Sequence, residues 1–153
     1  MTTPRDFRGK VVAVTGAAGG LGRALVHAFA QVGAQVAALD RDAAALAVLA
    51  QETADTPLMT AVCDVTRLDD CQAAIAHVCE RLGGVDLLIA NAGIAHRSAF
   101  ADTQIDVLRR VMDVNFFGAV HCTRAALPSL RQRHGMVVAI SSVAGFSPLI
   151  GRT

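Results

Sequence analysis

The chain has 153 residues, room for one domain, and 53% of them are hydrophobic, enough to fill a core. Charged residues make up 18%, and 14 Lys and Arg against 13 Asp and Glu leave a net charge of +1, which excludes the basic stripe that nucleic-acid binding needs. Mean hydropathy is +0.44, yet the longest apolar runs, at 85–90 and 136–140, fall far short of the roughly 20 residues that span a bilayer. The polar N-terminus has no apolar signal-peptide segment, so a cytoplasmic protein without membrane or nucleic-acid partners is expected. Cys63, Cys71, Cys79 and Cys122 contain no C-x-x-C pair and the five histidines no metal-ligand spacing, which points to reduced thiols in or near the core and to no metal.

Short β-branched runs alternate with longer alanine-rich stretches, the pattern of a parallel α/β sheet. Residues 10–15 form a first strand, a continuous apolar run covered on both faces. A helix over 21–32 carries Leu21, Ala24, Leu25, Ala28 and Phe29 on one stripe and stops at Gly33. Strands follow at 35–39, 58–62 and 85–90, with helices at 42–53 and 68–82, the second ended by Gly83 and Gly84. Residues 103–133 make a long helical region, broken or bent, with Pro128 distorting its last turns. A fifth strand at 136–140 leads into a Gly-, Ser- and Pro-rich loop over 141–153.

The first strand–helix junction reads Thr15-Gly16-Ala17-Ala18-Gly19-Gly20-Leu21-Gly22. Gly16 permits a tight turn, Gly20 lets backbone approach a pyrophosphate, and Gly22 lets the helix lie close to the sheet. The helix N-terminus then offers free N–H groups and partial positive charge to the phosphates. Gly22 precedes Arg23 rather than Lys-Ser/Thr, which excludes a P-loop.

In its T-G-x-x-x-G-x-G spacing this loop resembles the short-chain dehydrogenase/reductase family. Gly16, Gly19 and Gly22 also fit the G-x-x-G-x-x-G of the family's longer, epimerase-like branch, so the loop alone leaves both branches open. Asn91-Ala92-Gly93 after the fourth strand is similar to the N-A-G signature of the shorter branch, which places backbone against the cofactor ribose and steadies the central strand. Gly93 suits a position where a ligand leaves no space for a Cβ. An ordinary Asn-x-Gly turn is the alternative.

Asp40 ends the second strand, where a carboxylate can accept from both ribose hydroxyls. That favours NAD as cofactor over NADP, while the neighbouring Arg41 could receive a 2′-phosphate. A solvated turn leading into a helix cap would account for the same residues. Asp64, in Cys63-Asp64-Val65-Thr66, matches the position where the resemblance implies a carboxylate accepting from the adenine amine, helped by the Val65 backbone; equally, Asp64 or Thr66 could cap the next helix. Asn115, a poor helix former in mid-helix, matches an Asn that by resemblance bends the helix through a water and orients the catalytic lysine; an amide facing solvent is the alternative. In Ser141-Ser142-Val143-Ala144-Gly145 the resemblance makes Ser142 the donor to the substrate oxygen, and a turn-forming serine pair is again the alternative. No G-x-S-x-G elbow supports a serine hydrolase.

These motifs imply a Rossmann-type doubly wound parallel sheet in strand order 3-2-1-4-5, forming one NAD(P)-binding domain, incomplete at its C-terminus after the fifth strand. The implied activity is hydride transfer between NAD(H) and the CH–OH or C=O group of a secondary alcohol or ketone. The substrate would lie over residues 94–98 and 145–150, a hydrophobic one given Phe146, Pro148, Leu149 and Ile150. The family's Tyr-x-x-x-Lys falls beyond Thr153 by spacing, and the chain contains no tyrosine, so it is expected to be inactive alone. A catalytically dead dinucleotide-binding module is the second reading, and an interaction protein using residues 103–133 the third. By resemblance that region contributes to a homo-oligomer. The fifth strand would leave an apolar, unpaired edge and poor solubility.

Overall fold

The computed structural model describes residues 5–53, 56, 58–145 and 147. Five parallel strands alternate with helices: β1 (Val11–Thr15), α1 (Gly20–Gln31), β2 (Gln35–Asp40), α2 (Ala43–Glu52), β3 (Leu58–Val62), α3 (Leu68–Leu82), β4 (Leu87–Ala90), α4 (Ile105–Met112), α5 (Gly118–Gln132) and β5 (Met136–Ala139). The sheet order is β3-β2-β1-β4-β5, as the sequence predicts. The chain reverses direction across the sheet at β1, so β1 and β4, neighbours in the sheet but not in sequence, open a crevice between their carboxyl ends.

Strand side chains alternate between two cores, as the two-residue period requires. Val11, Ala13, Ala37, Leu39 and Leu88 face α3 and α5, while Val12, Val14, Val36, Ala38, Leu87 and Ile89 face α1 and α2. Burial on both faces accounts for the uninterrupted apolar run of β1, every residue of which is buried.

Two helical expectations are corrected. The fully buried residues of α1 are Gly22, Val26 and Ala30; of the expected stripe, Leu25 and Phe29 pack half-buried against the same core, while Ala24, Ala28 and Leu21, 55% exposed, lie outside it. The reason is Gly22: its missing side chain seats the helix, so the positions four and eight residues later inherit the contact. The long region breaks in its middle rather than at Pro128, and α5 continues through the proline to Gln132. Residues Asp113–Phe117 form a π-turn between α4 and α5, centred on Asn115. Such turns are frequent at functional sites.

At the amino end of β4, Asp86 accepts from the Val11 N–H at 2.9 Å and pairs with Arg133 at 3.0 Å and Lys10 at 3.4 Å. β5 ends the sheet among the described residues, with Val137, Val138 and Ile140 near 40% exposed. No described helix is long and apolar enough to cross a membrane.

Candidate functional site

Above the carboxyl ends of the strands lies a cavity of about 300 Å³. Gly16, Gly20, Leu21, Gly22, Asp40, Arg41, Asp64, Val65, Asn91, Ala92 and Gly93 line it, all singled out in the sequence. Gly19, Cys63 and Val114 line it without having been singled out as site residues, and Ile94 comes from the segment expected under the substrate. Thr15, Asn115 and Ser142 lie off its wall.

The glycine loop is shaped by two glycines and open at a third. Gly16 has φ +63°, and a Cβ there would stand 2.8 Å from the Ala92 Cα. A Cβ on Gly22 would strike the Gly16 carbonyl and come within 2.8 Å of the Ala17 Cα, so Gly22 lets α1 close on the loop's own turn rather than on the sheet. Beside Gly20, by contrast, no heavy atom lies within 4 Å of where a Cβ would be, and that free space belongs to the cavity. No side chain caps α1 and its first turn holds no acidic residue. In α2 Asp42 takes the Ala45 N–H at 2.9 Å, and the first turn of α3 carries Asp69 and Asp70. The free amides and positive pole of α1 therefore face the cavity unneutralised.

Thr15 works from behind the wall. Only 2% exposed, its hydroxyl accepts from the Asn91 and Ala92 N–H groups, each at 3.0 Å. The Asn91 amide returns to β1, donating to the Thr15 carbonyl at 2.9 Å and the Gly16 carbonyl at 3.2 Å. Asn91-Ala92-Gly93 is thus more than an isolated turn: it is stitched to the start of the glycine loop. Gly93 is less constrained than its motif suggests, since the nearest atom to a Cβ there is the Asn115 Oδ1 at 3.5 Å.

Asp40 accepts from the Ala18 N–H at 3.0 Å and the Asp42 N–H at 3.1 Å. Two of a carboxylate's roughly four lone-pair sites are thereby used, leaving capacity toward the cavity. Asp64 caps no helix; its Oδ1 takes the Thr66 N–H at 2.9 Å and the Thr66 hydroxyl at 2.8 Å, while Arg67 precedes α3 without a side-chain cap. Burial alone would raise its pKa, but Thr66, Arg41 and Arg67 hold it below the usual carboxylate value. It stays an anionic acceptor.

Asn115 does not hand its amide to solvent. Its Oδ1 accepts from the Ile94 N–H at 2.8 Å and its Nδ2 donates to the Ile94 carbonyl at 2.9 Å. The π-turn thereby fixes the segment after β4, and Asn115 is a positioning residue. Ser142 is exposed and accepts the Ala144 N–H at 3.2 Å in the turn Val143–Gly145, which leaves its hydroxyl proton available to an acceptor. Phe146, Pro148, Leu149 and Ile150 lie outside the described residues.

The pattern that defines the family described as short chain dehydrogenase matches residues 10–153. The chain belongs to the short-chain dehydrogenase/reductase family. It is 41% identical over 147 residues to the dehydrogenase/reductase SDR family member 7B of Bos taurus, covering 90% of this chain and 45% of that one. It is 39% identical over 145 residues to the 11-beta-hydroxysteroid dehydrogenase 1A of Arabidopsis thaliana, covering 92% of this chain and 42% of that one. The chain spans less than half the length of these two relatives. A short-chain dehydrogenase/reductase structure from Mycobacterium marinum superposes with a TM-score of 0.91 at 31% identity, over 96% of this chain and 61% of that one. Members of this family bind nicotinamide dinucleotides, and the open cradle at Gly20, the unneutralised α1 and the free capacity of Asp40 fit that ligand.

Proposed function

We propose that the protein is an NAD(H)-dependent oxidoreductase that moves a hydride between the cofactor and the CH–OH or C=O carbon of a secondary alcohol or ketone. The observation that carries this reading is the side-chain-free N-terminus of α1 opening, past Gly20, onto a cavity walled by two carboxylates. The α1 amides hold the diphosphate, Asp40 accepts from the adenosine ribose, and Asp64 with the Val65 backbone accepts and donates at the adenine edge. When bound, the cofactor supplies the hydride donor or acceptor. Ser142 donates its hydroxyl proton toward the substrate oxygen, and Asn115 holds the segment at Ile94 beneath it.

A 2′-phosphate in place of the ribose hydroxyl would face Asp40. At about 4 Å and an effective dielectric near 20, one such charge pair costs roughly 4 kcal/mol before screening, and Arg41 offsets part of that. The reading is therefore NAD over NADP. A hydrophobic alcohol fits the apolar character of residues 146–150, and the name of the Arabidopsis thaliana relative makes hydroxysteroids the first substrates to try. The chain contains no tyrosine, so we infer that the 153-residue polypeptide alone binds the cofactor without appreciable turnover. Self-association through the exposed apolar side chains of residues 105–127, among them Ile105, Phe116 and Leu127, accompanies this reading.

Fluorescence titration with NADH and NADPH tests the proposal. At least tenfold tighter NADH binding is expected; tighter NADPH binding refutes the cofactor preference, and no binding of either at millimolar concentration refutes the function.

A further inference from the structure

The turn that presents Asp64 and Val65 to the cavity is held from outside by α5. Residues Asp64 to Arg67 form a β-turn, closed by the Arg67 N–H on the Asp64 carbonyl at 3.0 Å. Val65, 7% exposed, lines the cavity beside Asp64. The peptide that follows Val65 is fixed at both of its polar ends. Its N–H, on Thr66, goes to the Asp64 Oδ1 at 2.9 Å, and its carbonyl, on Val65, is met by the His121 Nδ1, also at 2.9 Å. A carbonyl only accepts, so Nδ1 is the protonated nitrogen of the ring. The Cys71 thiol of α3 reaches the same carbonyl at 3.7 Å, as a weaker donor.

The same helix seats the Val65 side chain. A Cβ on Gly118 would stand 2.7 Å from the Val65 Cγ2 and 3.1 Å from its Cβ, so a bare Cα there lets the turn lie against α5. Valine is stiff at χ1 and cannot swing clear of such a contact. His121 itself lies off the cavity wall, with the Phe117 ring 6.4 Å from its own. One polar and one steric contact from α5 thus converge on a single residue. With its side chain and carbonyl both held, the tetrahedral Val65 Cα leaves its nitrogen one place to go. Arg67 fixes the plane of the preceding peptide through the Asp64 carbonyl. Among the described residues nothing accepts from the Val65 N–H, the donor that the nucleotide reading gives to the adenine edge.

We propose that His121 is a positioning residue for the adenine edge: with the bare Cα of Gly118 it holds Val65 so that the Val65 N–H stays aimed at a ring nitrogen of the base, beside the amine that Asp64 accepts. The proposal rests on the nucleotide reading above. Its consequence is that a side chain outside the cavity sets how sharply the base is read. Loss of the His121 hydrogen bond frees the Val65 carbonyl to rotate, and the N–H on the other side of the same Cα drifts with it.

The test compares NADH with reduced nicotinamide hypoxanthine dinucleotide, in which a carbonyl replaces the adenine amine and the adjacent ring nitrogen carries a hydrogen. That base turns an acceptor toward Asp64 and a donor toward the Val65 N–H, so both pairings are lost. Both ligands are titrated by nicotinamide fluorescence into the wild-type protein, into His121→Leu, which keeps bulk without the donor, and into His121→Asn, whose amide nitrogen stands where Nδ1 does. Urea midpoints are recorded alongside. The wild-type protein should bind the analogue about tenfold more weakly than NADH. His121→Leu should weaken NADH about fivefold and the analogue by less than about twofold, so the ratio of the two contracts, and His121→Asn should restore it. An unchanged ratio in folded His121→Leu overturns the proposal, because a general loosening of the fold weakens both ligands alike. A contracted ratio that His121→Asn does not restore overturns the part given to the hydrogen bond. If His121→Leu does not fold, Gly118→Ala decides: its methyl displaces Val65 and should contract the ratio in the same way, and an unchanged ratio overturns the proposal. Equal wild-type affinity for the two ligands overturns it too, while leaving nucleotide binding intact. Absence of NADH binding by the wild-type protein refutes the nucleotide reading itself.

Discussion

Gly22 and Gly20 stand two residues apart in one loop, yet alanine at each should fail in opposite ways. At Gly22 the new Cβ meets backbone on two sides, the Gly16 carbonyl and the Ala17 Cα at 2.8 Å. Carbon–carbon contacts are comfortable at about 3.5–4.0 Å, so α1 must retreat by roughly 1 Å. That retreat loosens Val26 and Ala30 from the sheet. Overpacking of this kind costs about 1–3 kcal/mol, which for a domain of this size lowers Tm by several degrees. At Gly20 the Cβ meets nothing, and alanine is the better helix former by up to about 1 kcal/mol, so stability is kept or gained. The same methyl occupies the space offered to the diphosphate, and NADH affinity should fall at least tenfold, roughly 1.4 kcal/mol. Urea unfolding and NADH fluorescence titration of both variants separate the two effects. Wild-type NADH affinity in Gly20→Ala, or a wild-type urea midpoint in Gly22→Ala, would refute the division of labour.

Thr15→Val keeps shape but strips the acceptor from the Asn91 and Ala92 N–H groups; unfolding in urea should show a loss of about 2 kcal/mol. Asn115→Asp retains the bond from the Ile94 N–H but sets a carboxylate oxygen against the Ile94 carbonyl, and a loss of about 1–3 kcal/mol is expected by the same measurement, with Asn115→Ala similar. The Asp86 pKa sits below its ordinary value: burial opposes this, but Arg133, the Val11 N–H and Lys10 outweigh it. A depressed carboxylate contributes stability above its unfolded pKa, near 4, and loses that contribution as pH falls through the folded pKa. Urea midpoints measured from pH 7 to pH 3 should therefore drop for the native chain, and Asp86→Asn should be weaker at pH 7 with a shallower acid limb.

The central strands β1, β2 and β4 were legible because both faces of each are buried, which turns β1 and β4 into apolar runs that no surface element would carry. The glycine loop was legible because its demands are local. What the sequence concealed depends on contacts between distant residues. The face of α1 is set by Gly22 meeting Gly16 and Ala17, a steric fact that outranks the hydrophobic stripe. Asp64 resembles a helix cap until its carboxylate is seen to accept from the N–H and hydroxyl of Thr66, ahead of the helix. The break in the long helix could be suspected at Asn115, but its partner Ile94 is 21 residues away. The contacts of Cys71 with Cys63 and Cys122 join positions separated by 8 and 51 residues and have no motif at all.

The two ends of β4 divide stability from binding. At its amino end Asp86 takes three hydrogen bonds from the protein itself, from a backbone N–H, Arg133 and Lys10. At its carboxyl end the polar links among Thr15, Asn91, Ala92, Ile94 and Asn115 satisfy one another in the same way, but they do so behind the wall. In front of it the α1 amides lack a side-chain cap and Asp40 keeps spare acceptor capacity. Unmet hydrogen-bonding groups at a fold's surface are inexpensive in water and strong toward a ligand that excludes it. The rigid polar layer keeps those groups from collapsing onto one another. Substitutions within that layer should therefore register in unfolding experiments, and substitutions at Gly20 or Asp40 in titrations.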